Sequence, residues 1–464
     1  MAAEEQKIED AAPAEDVTFT LSDDDIRDTL DALHAEDSDT VCGTLECLSP
    51  ADAAELIAKA TPEDRQELVN MYSEYISPEV FTEMDDELSR NVLANMPKEK
   101  VAGIITELES DDALEIIETL DDEVQEDIIH HLSAKTRIAV EEGLSFPEDS
   151  AGRLMQREVV AIPQFWSAGK TIDYLRSASA DLPEDFFDVF VIDPSYHIKG
   201  HMPLNRLIRA KRSMKIEDIC LPDLHSIPAD MDQEEVAHLF RRDNIVSAPV
   251  VDEDNRLLGV ITIDDVVDVI DEEAQEDILK MAGVDQGDLY RAVLSTTGTR
   301  FRWLFVNLLT AILASIVISF FDATIEQIVA LAVLMPIVAS MGGNAGTQAL
   351  TVAVRALATK QLSETNTLRI IWKETLVGSL NGAAFAIIVG IITALWFGST
   401  MLGGVIAAAM IINLIVAGVF GAAIPVLIER YGADPAVAST VFLTTVTDVV
   451  GFFAFLGLAA VFLI

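Results

Sequence analysis

The charge of this chain is confined almost entirely to its first 300 residues. Of 77 acidic and 31 basic residues, only seven acids and six bases lie after residue 300. That later stretch is near −1, while the part before it holds 70 acids against 25 bases and so −45 of the total −46. An acidic soluble body is therefore joined to a nearly uncharged apolar one, which excludes a purely soluble enzyme. The acid excess argues against nucleic acid or an anionic lipid surface as the main partner. Hydrophobic residues make up 50% of the chain, which does not suit a disordered acidic protein. Cys42, Cys47 and Cys220 all lie in the acidic part. They give no disulfide framework and fit a reducing cytoplasm. Cys42 and Cys47 have no second ligand pair at zinc spacing, so they read as ordinary thiols. The opening MAAEEQKIED has neither a basic nor an apolar leader region, so no signal peptide is expected.

Five apolar runs follow: Phe301–Phe321, about Ile328–Leu357, about Ile370–Phe397, about Met401–Ile428 and about Pro435–Ile464. A span of the bilayer takes roughly 20 apolar residues, and a soluble helix of that length would carry a polar face. The connecting loops agree. Arg300 and Arg302 precede the first run, and the second loop holds Arg355, Lys360, Arg369 and Lys373. The fourth loop holds Arg430, whereas the first and third have no base. Bases collect on the cytoplasmic side of membranes. The expectation is five spanning helices in a cell membrane, a cytoplasmic N-terminus and an extracytoplasmic C-terminus.

Asp448 is the fourteenth residue of the fifth run, near mid-membrane. A charge there costs roughly 2.5–3.5 kcal/mol on insertion scales, and no span carries a base at its centre to neutralise it. Thr440, Thr444 and Asp448 recur at i, i+4 and i+8 and so line one helix face. The stripe reads as a cation path, or else as a protonated acid bonded to a neighbouring helix. In the second run, Ser340-Met-Gly-Gly-Asn-Ala-Gly-Thr-Gln348 carries three glycines, which permit close helix approach or exposed carbonyls. Pro336, one turn earlier, can kink the helix. Asn381 and Asn413 read as packing.

In the acidic half, residues from about 22 to 145 repeat loosely. Start signals recur at Ser49-Pro50, Thr61-Pro62, Ser77-Pro78, Met96-Pro97, Ser110-Asp111, Asp121-Asp122 and Ser133. Short helices stacked into a superhelix are expected. Residues from about 150 to 270 contain a duplication. Val191-Ile192-Asp193, Gly200 and Leu204 match Val250-Val251-Asp252, Gly259 and Ile263 at an offset of 59. Upstream, Ile162-Pro163 matches Ile227-Pro228 at 65, so an insertion is expected within Asp181–Asp188. Each copy reads strand, helix, strand, turn, strand, helix. The first copy has Pro203 and Arg206 where the second has Thr262 and Asp265. A stretch dense in acids, starting with Asp268, Asp271, Glu272, Glu273, Glu276 and Asp277, then leads to the membrane. It repels itself unless cations neutralise it.

The tandem unit resembles CBS domains. Phe146–Met155, Pro336–Leu350 and Thr444-Thr-Val-Thr-Asp448 resemble segments of the MgtE family of magnesium transport proteins, in the same order over roughly residues 20–464. The resemblance implies a multidomain fold: an all-α superhelical N-terminal domain, an α/β tandem CBS pair and an α-helical membrane bundle of five transmembrane helices. It divides the chain into an acidic disordered tail (1–20), a helical domain (21–148), the CBS pair (149–270), a connecting helix (271–298) and the membrane domain (299–464). The implied function is a homodimeric, magnesium-selective channel that imports Mg2+ down its electrochemical gradient and is closed by intracellular Mg2+. Asp448, Asp434 and Thr444 are the implied pore residues. Asp232, Glu234, Asp243, Asp265, Asp268, Glu273, Glu276 and Asp277 are the implied regulatory metal ligands. Thr262 and Asp265 fit a nucleotide pattern, so ATP at the CBS pair is a second expected ligand.

Mg2+ prefers octahedral oxygen coordination and sheds water reluctantly, so carboxylates and hydroxyls suit its path; no His or Cys occurs after residue 300. Many of the surface acids read as solvation rather than ligands. The rival readings are a carrier coupling divalent cations to Na+ or H+, and a CBS-regulated receptor without transport. No enzyme is expected, since there is no P-loop and no nucleophile–base constellation.

Overall fold

The computed structural model describes residues 21–178, 182–183, 186–222, 225–284, 287–362 and 365–464. The expected tail at 1–20 and part of the expected insertion within Asp181–Asp188 lie outside the described residues. The chain forms two compact units that divide after Val267.

The first unit opens with short amphipathic helices: Asp23–His34 (α1), Ser38–Leu45 (α2), Pro50–Lys59 (α3), Pro62–Tyr72 (α4) and Asp86–Ala94 (α5). Lys98–Glu107 (α6), Ser110–Thr119 (α7), Asp122–His131 (α8) and Ala134–Gly143 (α9) continue the series. The start signals work by capping. Ser49 and Thr61 accept the backbone N–H of Asp52 and Asp64, each with Pro at the first helical position. Leu56, Ile57, Leu68, Val69, Ile105 and Ile117 form the core, and most of the acids face outward, with Asp64 a buried exception. Ser77 and Asp121 sit at cap positions without a side-chain cap bond, and Ser77-Pro78 opens only a short 3-10 turn. The caps of α6 and α7 fall on Pro97 and Glu109, so Ser110 is inside α7 rather than in front of it.

After α10 (Ala151–Leu154) come the two α/β copies. The first is β1 (Ala161–Pro163), α11 (Ala168–Ser177), β2 (Asp188–Ile192), β3 (Ile198–Pro203) and α12 (Leu204–Arg209). The second is β4 (Ile227–Pro228), α13 (Gln233–Asp243), β5 (Ser247–Val251), β6 (Leu257–Thr262) and α14 (Ile263–Ala282). Each sheet has three strands, a parallel pair followed by an antiparallel pair. The duplication extends to register. Val191 opposes Gly200 and Val250 opposes Gly259, each beside a register shift.

The second unit holds five helices long and apolar enough to cross a membrane: α15 (Val293–Ser319), α17 (Ala330–Ala358), α18 (Thr367–Phe397), α19 (Thr400–Arg430) and α20 (Pro435–Phe462). The short α16 (Asp322–Gln327) lies between the first two. The first membrane helix begins at Val293, earlier than the apolar run alone indicates, and α17 continues through Pro336. Gly398 in the left-handed region (φ +66°) and the Ser399 cap turn α18 into α19 within two residues. α19 is the most buried of the five and packs against α17, α18 and α20. Glycines permit this. A Cβ on Gly378 would lie 2.4 Å from the Leu414 carbonyl oxygen, and one on Gly418 2.5 Å from that of Glu374.

Candidate functional site

α20 is built as a polar face on an apolar helix. Asp434 caps it, its carboxylate accepting the Ala436 N–H at 2.7 Å, and Pro435 starts it. Thr440, Thr444 and Asp448 follow at helical spacing, all three half-buried. The Thr444 hydroxyl donates to the carbonyls of Thr440 (3.0 Å) and Val441 (3.1 Å). Thr445 and Thr447 donate to helix carbonyls in the same way. With each proton committed to the backbone, the hydroxyl oxygens are left as acceptors, the polarity a cation needs. Among the described residues the Asp448 carboxylate has no ion pair and no hydrogen bond. It stands about 20 Å along the helix from Pro435 at 1.5 Å per residue.

The end of α14 docks on the other end of this face. Met281 packs with Leu350, Val354, Ile424, Ala436 and Leu443. Its carbonyl accepts the Thr440 hydroxyl at 3.1 Å. Lys280 pairs with Asp434 at 2.8 Å and also with Glu276. Burial lowers the Lys280 pKa, but its bonds to Asp434 and Glu276 outweigh that and hold the ammonium above its ordinary range. Burial, and then the Asp434 charge, raise the Asp277 carboxyl. Asp434 and Glu276, two of the expected metal ligands, thus meet on a lysine that was not singled out from the sequence, with Asp277 within reach of the Asp434 charge. The i, i+4 spacing of Lys280 from Glu276 is the signal that was available.

A second acidic cluster joins the helical repeats to the CBS pair within the first unit. Asp265, at the start of α14, accepts the Thr262 hydroxyl at 2.8 Å. Burial drives its pKa up to about 7, and the charges of Asp264 and Asp112 add to this. Across from it stand Glu109 and the first turn of α7. Burial, then Asp112 and Glu158, raise Glu109 to about 7. Burial, then Asp265, hold the Asp111 carboxyl well above its usual range. Ser110 fastens this junction, its hydroxyl accepting the Arg157 N–H at 2.7 Å. Gln156 donates to Glu109. Glu109, Asp111, Asp112 and Glu158 were not picked out from the sequence, because Glu-Ser-Asp-Asp reads as a helix start and nothing local shows what it faces.

The remaining expected ligands are dispersed. Asp232 caps α13 and accepts the Glu234 N–H at 3.0 Å. Asp243 accepts two bonds from Arg242, at 2.9 and 2.8 Å, and pairs with His225 at 3.2 Å. The Arg242 bond holds its carboxyl down at about 2. Asp268 and Glu273 lie along α14. Among the described residues no group of three or more His, Cys, Asp or Glu side chains is arranged to hold a metal ion. Thr262 and Asp265 do not line the cleft of about 550 Å3 between the two CBS copies; Phe187, Asp188, His201, Asn205, Asp243 and Ile245 do. The glycine-rich segment resolves toward packing: Gly342 and Gly346 are buried, while Asn344, Thr347 and Gln348 are exposed. Asn381 is exposed.

Fold and site together define a multi-pass helical membrane protein with a helical-repeat domain, a CBS pair and an acidic helix leading into the bundle. Comparison with known proteins agrees. Residues 335–458 match the MgtE profile, described as a divalent cation transporter. Residues 48–149 match the MgtE intracellular N domain, and residues 216–272 match the CBS domain. The chain is similar to the magnesium transporter MgtE of Bacillus subtilis, with 32% identity over 72% of this chain and 74% of that one. It is similar to the protein of the same name from Thermus thermophilus, with 35% identity over the same shares. A solved structure, the cytosolic domain of the Mg2+ channel MgtE in complex with ATP, is 28% identical over 53% of this chain and 99% of that one, with a TM-score of 0.49. The chain belongs to the MgtE family.

Proposed function

We propose that the protein is a magnesium-selective channel that imports Mg2+ down its electrochemical gradient and is closed by intracellular Mg2+. Asp448 carries the reading: a carboxylate without a cationic partner among the described residues, in the middle of a membrane helix, at the head of a threonine face. Such a group is functional by default. Its oxygen chemistry suits a hydrated hard cation, and the curated relatives are named magnesium transporters. Asp448 and Thr444 meet the ion within the membrane, and Asp434 meets it at the entrance beside α14. The path is enclosed by a second copy, since α20 leaves its threonine face only half-buried. Alternation of basic loops supports a cytoplasmic N-terminus, and the family's transport role supports ion conduction rather than catalysis.

Closure follows from charge. Mg2+ bridging Asp265 to the α7 acids, and Glu276 and Asp277 to Asp434, relieves repulsion that otherwise pulls α14 from its seat. Asp232, Glu234, Asp243, Asp268 and Glu273 are proposed to contribute further bridging acids. ATP is proposed as a second ligand of the CBS pair, on the Thr262 and Asp265 pattern of the second copy.

The test is influx of a series of divalent ions into liposomes carrying the full-length protein. Asp448→Asn should cut Mg2+ influx at least tenfold, about 1.4 kcal/mol; undiminished influx overturns the assignment. Unitary currents in planar bilayers separate a channel from a carrier coupled to Na+ or H+.

A further inference from the structure

Asn413 is fully buried in the middle of α19. Its side-chain nitrogen donates to the Val338 carbonyl of α17 at 2.8 Å. That bond fixes which end of the amide is nitrogen. Its oxygen, Oδ1, is buried with no hydrogen-bond partner among the described residues. Two glycines make room for the group. A Cβ on Gly342 of α17 would lie 2.2 Å from the Asn413 nitrogen, and a Cβ on Gly451 of α20 2.7 Å from it. The carboxamide is thus a wedge held in two notches, one on the glycine-rich helix and one on the helix of Asp448. Packing alone does not account for it, because leucine has nearly the same shape and would leave no acceptor unmet. Gly451 follows Asp448 by three residues, about 4.5 Å along the axis. The depth to which the wedge enters the Gly451 notch therefore sets how far the Asp448 carboxylate stands from α17.

We propose that Asn413 is a positioning residue for ion selectivity, fixing the spacing of α17 and α20 and hence the station of Asp448. The inference rests on the transport reading above and names the residue that tunes it. An acid at fixed spacing discriminates hydrated ions by size, and an acid free to shift does not.

The experiment compares Mg2+ and Ca2+ influx into liposomes for the full-length protein and for Asn413→Ala, Asn413→Leu, Gly342→Ala and the Asn413→Ala/Gly342→Ala pair. Asn413→Ala should lower the Mg2+:Ca2+ ratio about tenfold while influx persists. Gly342→Ala should depress influx about tenfold, because its methyl group takes the space of the amide. The pair should recover most of that loss, because the methyl then fills the vacated notch. Asn413→Leu keeps the volume without the Val338 bond, so it should also lose selectivity. Should Gly342→Ala not fold, the Ala and Leu variants decide alone. A wild-type ratio in either one reduces Asn413 to packing and overturns the inference. Absence of divalent influx in the parent protein refutes the transport reading instead, which keeps the two failures apart.

Discussion

Lys280 shows how one side chain changes the meaning of its neighbours. The family resemblance makes Glu276 and Asp277 regulatory ligands and Asp434 a pore residue, yet an ammonium pairs with both Glu276 and Asp434. A tethered cation competes with a free one. Lys280→Met should leave the three carboxylates uncompensated and bind Mg2+ more avidly, so closure should occur at a several-fold lower Mg2+ concentration in patch-clamp recordings. An unchanged or raised closing concentration would show that the lysine does not compete for this site. Asp434 was singled out by the resemblance to the MgtE family. Its partner was not, since 154 residues separate Lys280 from Asp434. Asp448 was legible for the opposite reason: its significance lies in the absence of a nearby base, and the sequence alone displays that.

At the scale of elements, apolar run length found the five membrane helices, and an offset of 59, shifting to 65 upstream, found the paired α/β copies; their matching register shifts came only with the structure. Both signals are periodic and local, and local signals survive without knowledge of the fold. The glycine-rich segment was ambiguous because packing and ion contact demand the same small residues. The neighbours decide: Gly346 abuts Leu443 and Gly421 abuts the Gly346 carbonyl. The α18–α19 seam makes the argument testable. Gly418→Leu forces a side chain against the Glu374 carbonyl, 2.5 Å from where a Cβ would stand. Overpacking costs roughly 1–3 kcal/mol. The thermal midpoint of the detergent-solubilised protein should fall by several degrees. A midpoint within one degree of the parent would mean the seam is loose.

At the scale of the molecule, the acid excess is put to use where two domains of the first unit meet. Asp265 and Glu109 both sit near 7, above their ordinary values of 3.8 and 4.5. They face Asp111 and Asp112 from α7, together with Glu158 and Asp264. Raised carboxyl pKa values mean that the folded form holds protons more tightly than the unfolded chain. The stabilisation is complete below about pH 4 and is lost as pH rises through about 7. Full-length protein without divalent ions should therefore melt at a lower temperature at pH 8 than at pH 5.5. Millimolar Mg2+ should remove most of that difference by raising the pH 8 midpoint. Asp265→Asn should flatten the pH dependence, and an unaltered slope in that variant would remove the cluster as its source.

By itself the sequence determined the division into an acidic part and an apolar part, the number of membrane helices, the doubled α/β unit and the unneutralised acid at mid-span. Each of these is a matter of composition or of short-range period. Only the tertiary structure decided which acids meet. It brought Glu109 and Asp111 to Asp265, Lys280 to Asp434, and the Asn413 amide into the notches of Gly342 and Gly451. A side chain's partner across a packed interface depends on how helices cross and how deeply they seat, and no window along one strand of residues contains that information.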